Sequence, residues 1–171
     1  MLELPAVSIS SLVPKGDVEV DTALLRRKTS NVLPTRAILY GHLLPHVLSK
    51  SDAAFVAVLR CEPGVLRKRL HDRGYSQKKI VENVEAELIG VVLDECVRRY
   101  GPELVHEFDT SSSLPRAVAK RIARSAGATT GRGKGAIGRA RPAWIDWTLN
   151  YGSSSKLRSL LAGASDPPAS T

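Results

Sequence analysis

Apolar residues recur along this chain with two different periods, and the alternation between them lays out the elements. Ala54 to Arg60, AFVAVLR, is an almost unbroken apolar run rich in valine. Such a run is expected of a parallel strand covered on both faces. Thr35 to Tyr40, TRAILY, predicts a second strand running into Gly41-His42, and Leu104 to Phe108, LVHEF, a third. Elsewhere the period lengthens to that of a helix. Pro63, at a first helical position, opens a helix through Leu66 and Leu70. Ile80, Val84, Leu88, Val91 and Val92 then share helical spacing, which predicts one long helix ending at Arg98-Arg99 before Gly101-Pro102. A last helix is expected from Pro115 to about Arg124, with Val118 and Ile122 inward and Asp109-Thr110 as capping residues.

The flanks are less regular. Leu2 to Leu12 predicts a short extended segment ending in a serine-rich turn; Asp21 or Thr22 caps a short helix through Arg26, and Leu43 to Ser49 suggests another. Gly127 to Pro142 is glycine-rich and basic, the composition of a flexible linker, and Trp144 to Trp147 starts a short amphipathic segment through Leu157, Leu160 and Leu161, with a frayed end from Asp166. Strands alternating with helices predict an α/β protein with a mostly parallel sheet. Its ligand would sit at the strand C-termini, at His42, Arg60-Cys61 and Asp109-Thr110.

At 171 residues and 43% hydrophobic, the chain is expected to form one domain with a real core. No apolar run approaches the roughly 20 residues that span a bilayer, and Met1-Leu2-Glu3 lacks a basic leader start, so a cytoplasmic protein with no membrane partner is expected. Cys61 and Cys96 lack CxxC or CxH spacing, which suggests neither a metal site nor a disulfide. The formal net charge is +8, and residues 116–142 carry eight basic residues and no acid. An anionic partner such as RNA is the chemistry that charge invites.

Chemically committed residues concentrate between Val65 and Leu88, VLRKRLHDRGYSQKKIVENVEAEL. Arg67, Arg69 and Arg73 lie on or just after one helix, Gly74-Tyr75 breaks it, and Ser76 caps the next, with Lys78 and Lys79 in its first turn. Guanidinium groups in such a turn can gather on one anion, because their planar fork matches phosphate oxygens. Glu82 and Asn83 are expected to pair with these arginines. Trp144 and Trp147 read as packing anchors.

Three stretches carry a resemblance: VEVDTALLRRK at 18–28, GH at 41–42, and VAVLRCEPGVLRKRLHDRGYSQKKIVENVEAEL at 56–88. Together they resemble the small adenylate kinase-like nucleoside monophosphate kinases of archaea and eukaryotic nuclei, the isoenzyme six type. The resemblance implies a P-loop NTPase-like three-layer α/β sandwich over residues 1–126, followed by the linker at 127–142 and the tail at 143–171. It implies phosphoryl transfer from ATP to AMP giving ADP, with Mg, and a role in small ribosomal subunit maturation through a ribosomal protein or rRNA. Residues 72–82 would be the lid, with Arg73 catalytic and ATP-binding and Arg69 supporting it. His42 would take the Walker-B-like position, and Lys120 would approach the nucleotide. Residues 7–24 would hold the monophosphate, with Ser8, Ser10 and Asp21 as contacts.

Two departures accompany the resemblance. The family opens with a strand, a G-x-x-x-x-G-K-[ST] loop and a helix, none of which precedes Leu2, and GATTGRGKG at 127–135 has neither the spacing nor a preceding strand. Tyr40 also stands where an acidic residue is usual. The expectation is therefore either a start upstream of Met1 or a P-loop-less remnant that binds RNA or a ribosomal protein.

Overall fold

The computed structural model describes residues 4–9, 21–32, 36–130 and 144–162. In chain order the elements are β1 (Ala6–Ser8), α1 (Thr22–Val32), β2 (Ile38–Tyr40), α2 (Leu44–Val47), β3 (Val56–Arg60), α3 (Pro63–Asp72), α4 (Gln77–Leu88), α5 (Val91–Tyr100), β4 (Val105–Asp109), α6 (Pro115–Thr130) and α7 (Ser154–Ala162). The architecture is the α/β one expected, consistent with a P-loop NTPase-like fold. All strand pairing is parallel: β1 with β2, and β3 with β4 from Val56 opposite Val105 to Arg60 opposite Asp109.

Among the described residues these are two separate two-stranded sheets, and the ladder geometry shows why each keeps an open edge. Ile38 N donates to Pro5 O at 2.9 Å, so Ile38 and Tyr40 turn their peptide groups toward β1 and Leu39 turns its own away. In β3, Val56 N donates to Leu104 O at 2.9 Å and Arg60 O accepts from Thr110 N at 2.8 Å. Ala57 and Leu59 therefore face away from β4. The side chains of Ile38, Tyr40 and Leu59 are more than half exposed, at 55%, 55% and 57%, which is unusual for strand residues of an α/β sheet.

Two helices stand where the periodicity predicted one. Gly90 adopts φ 70°, a left-handed conformation that ends α4 and restarts the chain as α5. The break lets one apolar pattern serve two cores. Ile80, Val84 and Leu88 pack with Leu70, Trp147 and Leu160, whereas Cys96 and Tyr100 pack with Leu48, Val58 and Val105. A third cluster joins Ile9, Leu25 and Val47. Leu39 packs against the second cluster, so β2 borders the same core as β3.

Two further expectations change. The helix capped by Asp21 runs on to Val32, with Asp21 Oδ1 accepting from Ala23 N at 2.9 Å and Leu24 N at 3.0 Å. α6 extends to Thr130, so the first residues assigned to the linker are helical. The amphipathic segment expected from Trp144 packs through Trp147, 8% exposed, and Leu160, 7% exposed. The rest of the linker and the frayed end from Asp166 lie outside the described residues.

Candidate nucleotide-binding site

The C-terminal ends of β3 and β4 form one connected rim. Glu62 follows β3 and caps α3, its Oε2 accepting from Val65 N at 2.8 Å, with Pro63 at the first helical position as the sequence indicates. Ser111 Oγ accepts from Glu62 N at 2.8 Å, and Thr110 Oγ1 donates to Arg60 O at 2.8 Å. Asp109 Oδ1 accepts from Ser111 N at 2.8 Å and from its hydroxyl, so this loop is held by its own side chains.

Arg69 reaches the rim from α3. Its Nη2 donates to the carbonyls of Thr110 at 2.8 Å and Ser111 at 2.9 Å, and its Nη1 lies 3.3 Å from Cys61 Sγ. Burial pushes the Cys61 thiol up against the opposing pull of Arg69, which keeps it protonated and unreactive. Arg69 thus joins the two strand ends to α3, the helix that leads into the basic turn.

Arg73 occupies the position after α3, where Gly74 takes φ 75° and Ser76 caps α4 by accepting from Lys79 N at 3.4 Å. Residues 71–79 are all exposed. Among the described residues neither Arg73 nor Lys78 has a side-chain partner, so both cations are available to an anion from solution. Glu82 and Asn83 do not pair with the arginines. Glu82 lies 3.6 Å from Lys79 Nζ, and Asn83 Nδ2 donates to Lys79 O at 2.6 Å, because both sit within one turn of Lys79.

The remaining expected positions are dispersed. His42 is exposed just beyond β2, next to Gly41, whose φ of 147° suits its close approach to Ile9. Ser8 ends β1 and is half-buried, Asp21 is committed to capping α1, and Ser10 lies outside the described residues. Lys120 is exposed on α6, where Arg121 lies 5.9 Å over the Phe108 ring.

Among the described residues no three His, Cys, Asp or Glu side chains gather as a metal cage; of the rim carboxylates, Glu62 caps α3 and Asp109 holds the loop after β4. For phosphate, the free Arg73 and Lys78 beside a braced strand rim do fit.

The sequence did not single out the buried carboxylates behind the rim. Arg60, 2% exposed, donates from Nε to Glu87 Oε1 at 2.7 Å and from Nη1 to Glu107. Their alternation with apolar residues in β3 and β4 was the available signal: an Arg and a Glu on inward strand positions must find each other.

The same arrangement of sequence recurs in known proteins. A protein of Natronomonas pharaonis named "Putative adenylate kinase" is 48% identical over 50% of this chain and 49% of its own length. A Halobacterium salinarum protein of the same name is 46% identical over 50% of this chain and 49% of its own length. The Thermococcus onnurineus protein, again so named, is 34% identical over 79% of this chain and 68% of its own length. The chain belongs to the adenylate kinase-like family. It spans about half the length of the first two of these relatives. No protein-family model matches it. Among the described residues, no helix of this adenylate kinase-like chain is long and apolar enough to cross a membrane.

Proposed function

We propose that this chain supplies the lid and strand rim of a nucleoside monophosphate kinase that moves the γ-phosphoryl of Mg-ATP to AMP, giving two ADP. The observation that carries the reading is the basic turn: Arg73 and Lys78 stand exposed, with no side-chain partner among the described residues, beside a rim that Arg69 braces. Phosphoryl transfer asks little covalent chemistry of a protein, and positive groups held around the migrating charge supply most of the rate. In this reading Arg73 contacts the transferred phosphoryl, Arg69 holds the base of the lid, and Lys120 and His42 border the nucleotide. Residues 72–82 are the moving lid, and 7–24, with Ser8, Ser10 and Asp21, receive the monophosphate.

Such a kinase also needs a phosphate-cradling loop, and the open edges favour a place for one. Leu39 on one side, and Ala57 and Leu59 on the other, turn their peptide groups to edges that no strand among the described residues pairs with, beside exposed Ile38 and Tyr40. An apolar strand running parallel to both pairs, followed by a glycine-rich loop and a helix, would satisfy these groups and cover that face. The test is coupled ADP formation from AMP and Mg-ATP, with ATP binding measured alongside. Arg73→Ala should lower kcat/KM by about 100-fold with the circular dichroism unchanged. Full turnover and unweakened ATP binding in that variant refute the assignment.

A second reading rests on α6. Arg116, Lys120 and Arg124 recur every fourth residue along one exposed helical stripe with no acid among them. That stripe favours an RNA or ribosomal-protein binding factor built on the kinase frame. RNA affinity that falls steeply with salt and with Lys120→Glu, in a chain without kinase turnover, would select this reading.

A further inference from the structure

The segment 144–162 is tied to both sides of the basic turn. Arg67, on the helix entering the turn, donates from Nη1 to Ser159 O at 3.2 Å and to Leu160 O, while Gln77, on the helix leaving it, donates to Leu161 O at 3.5 Å. These carbonyls lie in the last described turn of α7. Below them, Leu157, Leu160 and Leu161 pack with Leu66, Leu70, Ile80 and Val84 of the two lid helices.

The other end of the segment is anchored in the buried charges. Trp147 Nε1 donates to Glu87 Oε1 at 2.9 Å, an oxygen that also accepts from Arg60 Nε at 2.7 Å and Cys61 N at 3.1 Å. One carboxylate oxygen therefore joins α4, β3 and the C-terminal segment. Ile145 N donates to Glu107 Oε2 at 2.8 Å, and Ile145 O accepts from Arg60 Nη1 at 3.2 Å. The Tyr151 hydroxyl donates to Glu62, the cap of α3, and accepts from Gly64 N at 3.2 Å.

We propose that residues 144–162 are a strap that fixes the angle between α3 and α4 and so opposes closure of the lid. The strap rests on the lid reading above for its role in closure, though not for its existence. Its buried end, at Glu87 and Glu107, is the permanent anchor. Its outer end, where Arg67 and Gln77 hold exposed or half-buried carbonyls, is the part that releases. Between the two helices the turn at residues 71–76 is exposed and makes no strap contact, with no atom within 4 Å of a Cβ placed at Gly74, and the strap takes hold just beyond it at Gln77.

Hydrogen exchange measured by mass spectrometry on the full chain tests the strap without nucleotide. In Arg67→Ala/Gln77→Ala, exchange over 66–80 and 155–161 should quicken about tenfold while β3 and β4 keep their protection. Trp147→Phe, which keeps most of the ring's packing, should quicken exchange over 144–151 and 86–90. Unchanged exchange in both variants overturns the strap, and so does acceleration spread evenly over β3 and β4. A second arm uses inorganic tripolyphosphate with the charge-neutral Gln77→Ala and Trp147→Phe variants. If the strap opposes closure, both should bind about threefold tighter than the unaltered chain, because the closed state is more populated. Equal or weaker binding overturns the role in closure. Tripolyphosphate that protects residues 72–80 in none of the proteins would refute the lid reading while leaving the first arm to judge the strap.

Discussion

Replacing Arg60 with methionine should unfold this protein far more readily than its conservative volume suggests. The guanidinium is 2% exposed and makes bonds to Glu87 Oε1 at 2.7 Å, Glu87 O at 3.1 Å, Ile145 O at 3.2 Å and the Glu107 carboxylate. Two carboxylates share one cation, so the variant leaves two negative charges behind β3 with neutral N–H donors but no countercharge. Breaking a buried ion pair from one side costs about 3–5 kcal/mol, a large part of a typical stability of about 5–15 kcal/mol. With a urea dependence of about 2 kcal/mol per molar, the midpoint should fall by about 1.5–2.5 M. Urea titration followed by tryptophan fluorescence and circular dichroism measures this. The mechanism has a second signature. Arg60→Met/Glu87→Gln/Glu107→Gln keeps acceptor oxygens for Trp147, Cys61 and Ile145 but removes the stranded charges, and should regain about 2 kcal/mol over the single variant. A single variant within 1 kcal/mol of the original, on the scale of that ion-pair penalty, or a triple variant no more stable than the single, would refute the reasoning.

Alkaline titration should expose two tyrosines. Burial raises Tyr100 to about 12, and burial together with the Glu62 hydrogen bond raises Tyr151 to about 12, both from an ordinary 10. The fold therefore favours their protonated forms. Their contribution is complete below pH 10 and is lost as pH climbs from about 10 to about 12, so the melting temperature should fall across that window and fall less steeply in Tyr100→Phe/Tyr151→Phe. An equally steep fall would sink the assignment. At the α4–α5 break, Gly90→Ala should cost about 1–2 kcal/mol, since a Cβ would meet no closer atom than Arg60 Nη2 at 3.6 Å and only the left-handed backbone is penalised. Gly90→Asn, better tolerated there, should recover part of the loss in the same urea titration.

The elements were legible wherever a strong local signal met its usual tertiary use. The apolar run Val56–Arg60 and the shorter Val105–Asp109, with Val105 and Phe108 buried, become adjacent parallel strands, and Pro63 and Ser76 start helices as their chemistry dictates. Periodicity predicts one long helix because Gly90 interrupts a pattern that stays apolar on both sides, and it cannot say that the face has turned toward a different core. The tryptophans and leucines of the C-terminal segment announce that it packs, but not against what, because its anchors are non-local. Nothing near Trp147 in sequence announces that its indole N–H belongs to Glu87, sixty residues away.

The three arginines of α3 and the turn after it show the same limit at the candidate site. In sequence Arg67, Arg69 and Arg73 read as one cradle, but a helix turns about 100° per residue, which places Arg67 and Arg69 on nearly opposite faces. Accordingly Arg67 goes to the end of α7, Arg69 goes to the loop after β4, and Arg73, beyond the helix, goes to solvent. Two of the three cations are spent on holding α3 between its neighbours. On the function proposed above, the electrostatic work of binding a phosphate at this turn falls on Arg73 and Lys78, while substitutions at Arg67 and Arg69 should act through the position of the helix that carries them.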